Sequence, residues 1–114
     1  MTEIFAQGDL LIERVGDVAP SGIVEENADG TALVLLEGEA TGHAHAIRER
    51  VTMFRDDRLA RDIPAGLYVG HVRVGSAYAR VTHEEHGPIT LPRGTYRVRR
   101  QRELGPRDAR ILAD

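Results

Sequence analysis

Two extended runs, LYVGHVRV (Leu67–Val74) and SAYARVTH (Ser76–His83), flank a single residue, Gly75. Residues two apart in an extended chain share a face. Ala77, Ala79, Val81 and His83 therefore lie on one side of the second run, and Tyr78, Arg80 and Thr82 on the other. A small apolar face opposite a polar one is the pattern of a half-buried strand. With one glycine between them, the two runs make either a hairpin or one bent, bulged strand.

Outward from this centre the chain stays strand-like. TYRVRRQRE (Thr95–Glu103) alternates, and LPRG (Leu91–Gly94) before it reads as a turn. Upstream, GDLLIERV (Gly8–Val15) is a short apolar run after a turn residue, followed by turn chemistry in GDVAPSG (Gly16–Gly22). Ile23 and Val24 form a brief strand before the NADG turn at Asn27–Gly30. TALVLLE (Thr31–Glu37), apolar on both faces, is expected to be a central buried strand. Val51–Arg55 reads as another strand, and RDIPAG (Arg61–Gly66) as the turn before Leu67. After Gly105 and Pro106, RDARILAD has room for a short C-terminal helix. Nowhere do apolar residues hold a 3.6-residue period for three turns.

Twelve Gly and five Pro at short intervals, with strands every eight to twelve residues, fit an all-β domain. The expectation is one domain over residues 1–114, a small β-barrel or β-sandwich. A length of 114 residues suits one core and is too short for two ordinary ones.

Composition narrows the chemistry. Cysteine is absent, which excludes disulfides, thiolate nucleophiles and Cys-ligated metals. All fifteen cations are Arg, so there is neither a Schiff-base nor a P-loop lysine. Serine occurs only at Ser21 and Ser76, with no GxSxG. No apolar run reaches membrane-span length, and no basic-then-apolar leader opens the chain, so a cytoplasmic protein with no membrane partner is expected. Residues 1–57 hold four Arg against twelve acids, and residues 58–114 hold eleven Arg against six. The leading reading of this asymmetry is pairing of the two halves, within one fold or between subunits of a homo-oligomer. The Arg-rich strand Thr95–Glu103 is also a nucleic-acid candidate, the weaker one because Tyr96 is the only aromatic nearby.

Four of the five histidines fall in two clusters, His43 and His45 in TGHAH and His83 and His86 in THEEH. Imidazole is the commonest side-chain metal ligand. Strand parity puts His43, His45, Ile47 and Glu49 on one face, and Ile47 marks that face as inward. His83 ends the apolar row of its own strand, and a turn through Glu84 and Glu85 brings His86 back beside it. The competing reading is that the histidines are hydrogen-bonded structural residues. Glu84 and Glu85 are candidates for a general base on metal-bound water, for acceptors of the ligands' far N–H groups, or for an ordinary solvated turn. HEEH has i, i+3 spacing in strand-like surroundings and is not the HExxH helix of zinc proteases. The isolated His71 reads as a surface or strand histidine rather than a ligand.

HAHAIRE (His43–Glu49) resembles the first half of the cupin motif, in which two His and a Glu bind a metal inside a double-sheet jelly roll. That resemblance implies His43, His45 and Glu49 as ligands, with a fourth His from a later strand. Gly38 stands one residue closer to the pair than in cupins, and the second motif survives only as Pro64-Ala-Gly66 with His71 at a different spacing. His83 or His86 is therefore the better last ligand. From Gly38 to Glu103 the chain is also similar to small uncharacterised bacterial and phage-associated proteins that share TGHAH, THEEH and a closing RQRE. GDLLIERV and SGIV carry a fainter similarity to small co-chaperonins.

Two functions follow as expectations. One is a metal-binding β-domain, catalytic if a coordination position stays open, with His43, His45, His83 and His86 around a divalent Zn, Fe, Mn or Ni ion. The other is a non-enzymatic assembly or accessory protein that oligomerises through its oppositely charged halves.

Overall fold

Gly75 marks a bend inside one long strand. The computed structural model describes residues 3–37 and 42–101. Its strands are β1 (Ile4–Gln7), β2 (Leu10–Val15), β3 (Ile23–Glu26), β4 (Leu33–Glu37), β5 (Ala44–Ile47), β6 (Thr52–Arg55), β7 (Tyr68–Thr82) and β8 (Ile89–Arg100). A single 3-10 turn at Asp57–Ala60 lies between β6 and β7.

The β7–β8 hairpin is the spine. β8 pairs with β7 from Tyr68↔Arg99 to Val81↔Ile89, and the register shifts between Val74 and Tyr78. Opposite that bulge, Val74 pairs with Gly94, so LPRG lies inside a continuous strand. The turn expected at Leu91–Gly94 is thus a bend, and the chain reverses instead at His83–Pro88. The other edge of β7 is divided. Its first half pairs with β6, which leads to β3, and its second half pairs with β5, which leads to β4. On the far side β8 pairs with β2, and β2 with β1. All pairings are antiparallel.

No described pairing joins β1 to β3 or β4, so the sheet is open and not a closed barrel. It folds over on itself instead. One hydrophobic core gathers Leu10, Ile12, Val72, Val74, Tyr96 and Val98 with Leu33, Leu35, Ile47, Ala79, Val81 and Leu91, residues from both sides of the bend. Bulged strands bend and twist more sharply, which lets a single sheet face itself. The parity read from Ser76–His83 holds from Tyr78 onward, with Ala79 and Val81 buried and Tyr78, Arg80 and Thr82 exposed, but Ala77, expected on the inward face, lies in the bulge and is exposed.

One local reading changes in the upstream strands. β4 is an edge strand and not a central one: Leu33 and Leu35 face the core, while Val34 is 43% exposed. A register shift between Val34 and Leu36 lets Leu36 pack against the core as well, which accounts for the unbroken apolar run. β1 carries no strong pattern of its own and is held by pairing with β2 across the turn at Gly8 and Asp9. The helix expected after Pro106 lies outside the described residues.

His71 is a strand histidine, within β7, and it is buried and not superficial. It is 3% exposed, stacked on Phe54 at 5.2 Å, and its Nδ1 is hydrogen-bonded to the Tyr68 hydroxyl at 2.7 Å. The same hydroxyl oxygen accepts the Asp56 backbone N–H at 3.3 Å. Burial, with the Arg97 charge nearby, pushes the imidazole below its usual range. This network clamps the segment after β6 onto the sheet, beside a small cluster of Ala60, Ile63, Leu67 and Tyr68.

The charge asymmetry is met within the chain at several points. Arg97 pairs with Glu13 at 3.3 Å and Asp62 at 2.9 Å, Arg100 with Asp9 at 3.3 Å, and Arg73 with Asp17 at 3.5 Å. Two arginines of the candidate nucleic-acid strand are thereby engaged with carboxylates.

Candidate functional site

The fold brings both histidine clusters together. His43 lies just before β5 and His45 within it, and the 83–86 turn joins β7 to β8. Ala46↔Thr82 pairing places the start of β5 beside the end of β7. Ring centroids of His45 and His83 are 4.5 Å apart, those of His83 and His86 4.7 Å, and those of His43 and His83 5.6 Å. His45 and His86 stack nearly parallel at 6.5 Å.

The β1–β2 turn completes the site. Because the sheet folds over, Gln7 arrives against the hairpin tip, where it is 3% exposed. Its Nε2 donates to the carbonyls of Val81 at 3.1 Å and Gly87 at 2.8 Å, so its Oε1 must face the other way. That oxygen lies 2.8 Å from His45 Nδ1 and can only accept, so His45 carries its proton on Nδ1. The Nε2 lone pair is left available, the tautomer an Nε2 metal ligand requires. Burial first, then the neighbouring His83 and His86, pushes the His45 pKa down to about 4 against a weaker opposing pull from Glu84. His45 is neutral at physiological pH.

Gly8 permits this close approach. Its φ is +57°, and a Cβ there would stand 2.7 Å from His86 Nε2 and 3.5 Å from His45 Cε1. Gly8→Ala is expected to displace the His86 ring and to cost about 1–2 kcal/mol from the left-handed backbone alone. Urea unfolding together with the His86 ring chemical shifts checks this; unchanged shifts would mean that the turn yields and the ring does not.

The acids have distinct places. Glu84 Oε1 accepts the Ala44 backbone N–H at 2.7 Å, which ties the hairpin tip to β5 and holds this carboxyl below its usual range. Glu85 Oε1 lies 3.6 Å from His43 Nδ1, within ion-pair range. Glu49 does not join the imidazoles. Its carboxylate accepts the Arg80 backbone N–H at 2.7 Å, and Arg80 lies three residues before His83, about 10 Å away along an extended strand. Glu49 therefore stands apart from the two His of its motif.

His83 is turned toward the backbone. Its Nδ1 accepts from the N–H of Glu85 at 3.1 Å and of His86 at 3.4 Å, capping the turn and leaving the proton on Nε2. Accordingly, no three His, Asp or Glu side chains among the described residues form a finished ligand set. A half-turn of the His83 ring would exchange Nδ1 with Cδ2 and free a nitrogen. Gln7 and Gly8 were not legible as site residues; the signal was only a glycine after a short polar–apolar segment.

No curated protein and no solved structure shows significant similarity to this chain. A family model described as "Domain of unknown function (DUF8820)" matches residues 6–101, a span that takes in both histidine clusters as well as Gln7 and Gly8, and the chain belongs to that family.

Proposed function

We propose that this domain binds one divalent transition-metal ion through its histidine cluster, with His45 Nε2 as the anchoring ligand and His43, His86 and a reoriented His83 supplying the others. The observation that carries this reading is the Gln7–His45 hydrogen bond, which fixes the proton of a buried imidazole on Nδ1 and so leaves its Nε2 lone pair available. Spacing supports it. Two imidazoles on one tetrahedral zinc, with Zn–N near 2.0–2.1 Å, have centroids roughly 5 Å apart. The 4.5, 4.7 and 5.6 Å separations, all measured to His83, bracket that value, and His45 and His86, at 6.5 Å, would have to close by about 1.5 Å around an ion. Gln7 then acts as the outer partner that orients a ligating His, and Glu85 does the same for His43. In this reading the His43/His45 pair plays the part of the cupin pair, while the β7–β8 turn replaces Glu49.

Elemental analysis of tag-free protein, before and after incubation with Zn, Fe and Mn salts, tests the proposal. Near-stoichiometric metal is expected in the wild type and its loss in both His43→Ala/His45→Ala and His83→Ala/His86→Ala. A wild type that stays metal-free throughout would overturn the reading. Metal retained in one double variant would show that the clusters do not share an ion.

A further inference from the structure

At the bend of the β7–β8 hairpin, a cleft of about 430 Å³ is lined by Arg14, Asp17, Arg73, Arg93 and Thr95, with Gly75 and Gly94 in its wall. We propose that this cleft binds the phosphate group of a small anionic ligand. Three guanidiniums meet two carboxylates here, Asp17 in the lining and Glu3 behind Arg14, which leaves an excess of positive charge in a concave site of the size small ligands use.

The arginines are partly positioned before any ligand arrives. Arg14 Nη1 donates to Glu3 at 2.9 Å and Nη2 to the Arg93 carbonyl at 2.6 Å, and its guanidinium lies 5.8 Å from the Tyr96 ring centre. Gly94 makes room for it, since a Cβ there would stand 2.9 Å from Arg14 Nη2. Asp17 accepts the Thr95 hydroxyl at 3.1 Å and holds Arg73 at 3.5 Å. Arg93 makes one long bond, from Nε to the Ser76 carbonyl at 3.4 Å. Each guanidinium has five N–H donors, so Arg73 and Arg93 keep most of theirs for a ligand. Planar forks of this kind suit phosphate oxygens, and phosphate contacts made by arginine are charge-assisted and bidentate.

The bend itself explains why the cleft exists. β2 ends at Val15, opposite Thr95, while β7 slips register after Val74, so the chain opens just where three arginines are anchored. A phosphate on a small molecule fits better than a nucleic-acid backbone. Of the three arginines that would extend the track along β8, Arg97 and Arg100 are already paired with Glu13, Asp62 and Asp9, and Arg99 donates from Nε to the Arg100 carbonyl at 3.3 Å.

Calorimetric titration of the chelator-treated protein with pyrophosphate, at low ionic strength, is the test. Saturable one-site binding is expected, weakened about tenfold or more by Arg73→Gln and by Arg93→Gln. Arg55→Gln, away from the cleft, and His43→Ala/His45→Ala are expected to bind as the wild type does. The second control separates this cleft from any phosphate affinity of the histidine site. Absent binding, or binding unchanged in both cleft variants with their unfolding midpoints intact, would overturn the assignment. So would tight binding of a single-stranded oligonucleotide that pyrophosphate does not displace.

Discussion

Gln7→Leu is expected to lower the stability of the metal-free protein by about 2–4 kcal/mol and to weaken metal binding about 10- to 100-fold. Leucine is close in volume, so packing changes little and the loss is one of hydrogen bonds. Three partners are stranded: His45 Nδ1–H and the carbonyls of Val81 and Gly87. A buried polar group without a partner costs about 1–3 kcal/mol, and Gly87, in the exposed turn, has access to water instead. The metal effect has a separate cause. Without the Gln7 carbonyl oxygen, the His45 proton is free to move to Nε2 and block the ligating lone pair. Urea unfolding and a competitive zinc titration measure the two losses independently. A stability loss below about 1 kcal/mol with unchanged affinity would show that Gln7 neither seals the fold nor sets the tautomer.

Acid is expected to weaken the metal-free fold well before its carboxylates titrate. His45 has a folded-state pKa of about 4, below the ordinary 6.5, and His71 is lowered in the same direction. Between its two pKa values each imidazole binds more protons unfolded than folded, so stability rises with pH across that window. The His45 contribution is complete above pH 6.5 and is lost as pH falls toward 4. For His45 this is at most about 3 kcal/mol. Urea midpoints at neutral pH and at successively lower pH should therefore fall steadily. His45→Phe, which removes one titrating group, should flatten the slope while keeping a ring in the core. A slope identical to the wild type would place the acid sensitivity elsewhere.

What could be read from the residues and what could not divide along physical lines. Alternation along Ser76–Thr82 and Thr95–Arg100 is a property of the extended chain, since successive side chains must point to opposite faces. The inward row of Ala79 and Val81, and the buried pair His45 and Ile47, were legible for that reason. The same local logic misjudged Thr31–Glu37 and Leu91–Gly94. An apolar run does not say whether it has a neighbour on each edge, and Pro and Gly mark a bend inside a strand as readily as a reversal.

Glu49 failed in an instructive way. β5 ends at Ile47, two residues before it, and its carboxylate accepts the Arg80 backbone N–H instead. Motif spacing constrains the direction of a side chain only while the strand continues. His71 was hidden for the opposite reason, because its cover comes from Phe54 and from the segment that follows it, which no pattern around residue 71 encodes.

The sequence by itself determined an all-β chain, its inward faces, and histidine as the only unusual side-chain chemistry. Those follow from composition and from the two-residue period of an extended backbone. The tertiary structure decided that the sheet stays open and folds over at Gly75, so that Gln7 from one end of the strand path meets His45 and the 83–86 turn near the other. That meeting depends on contacts more than thirty residues apart in sequence, where local rules carry no information and only the packing of one core against itself can choose.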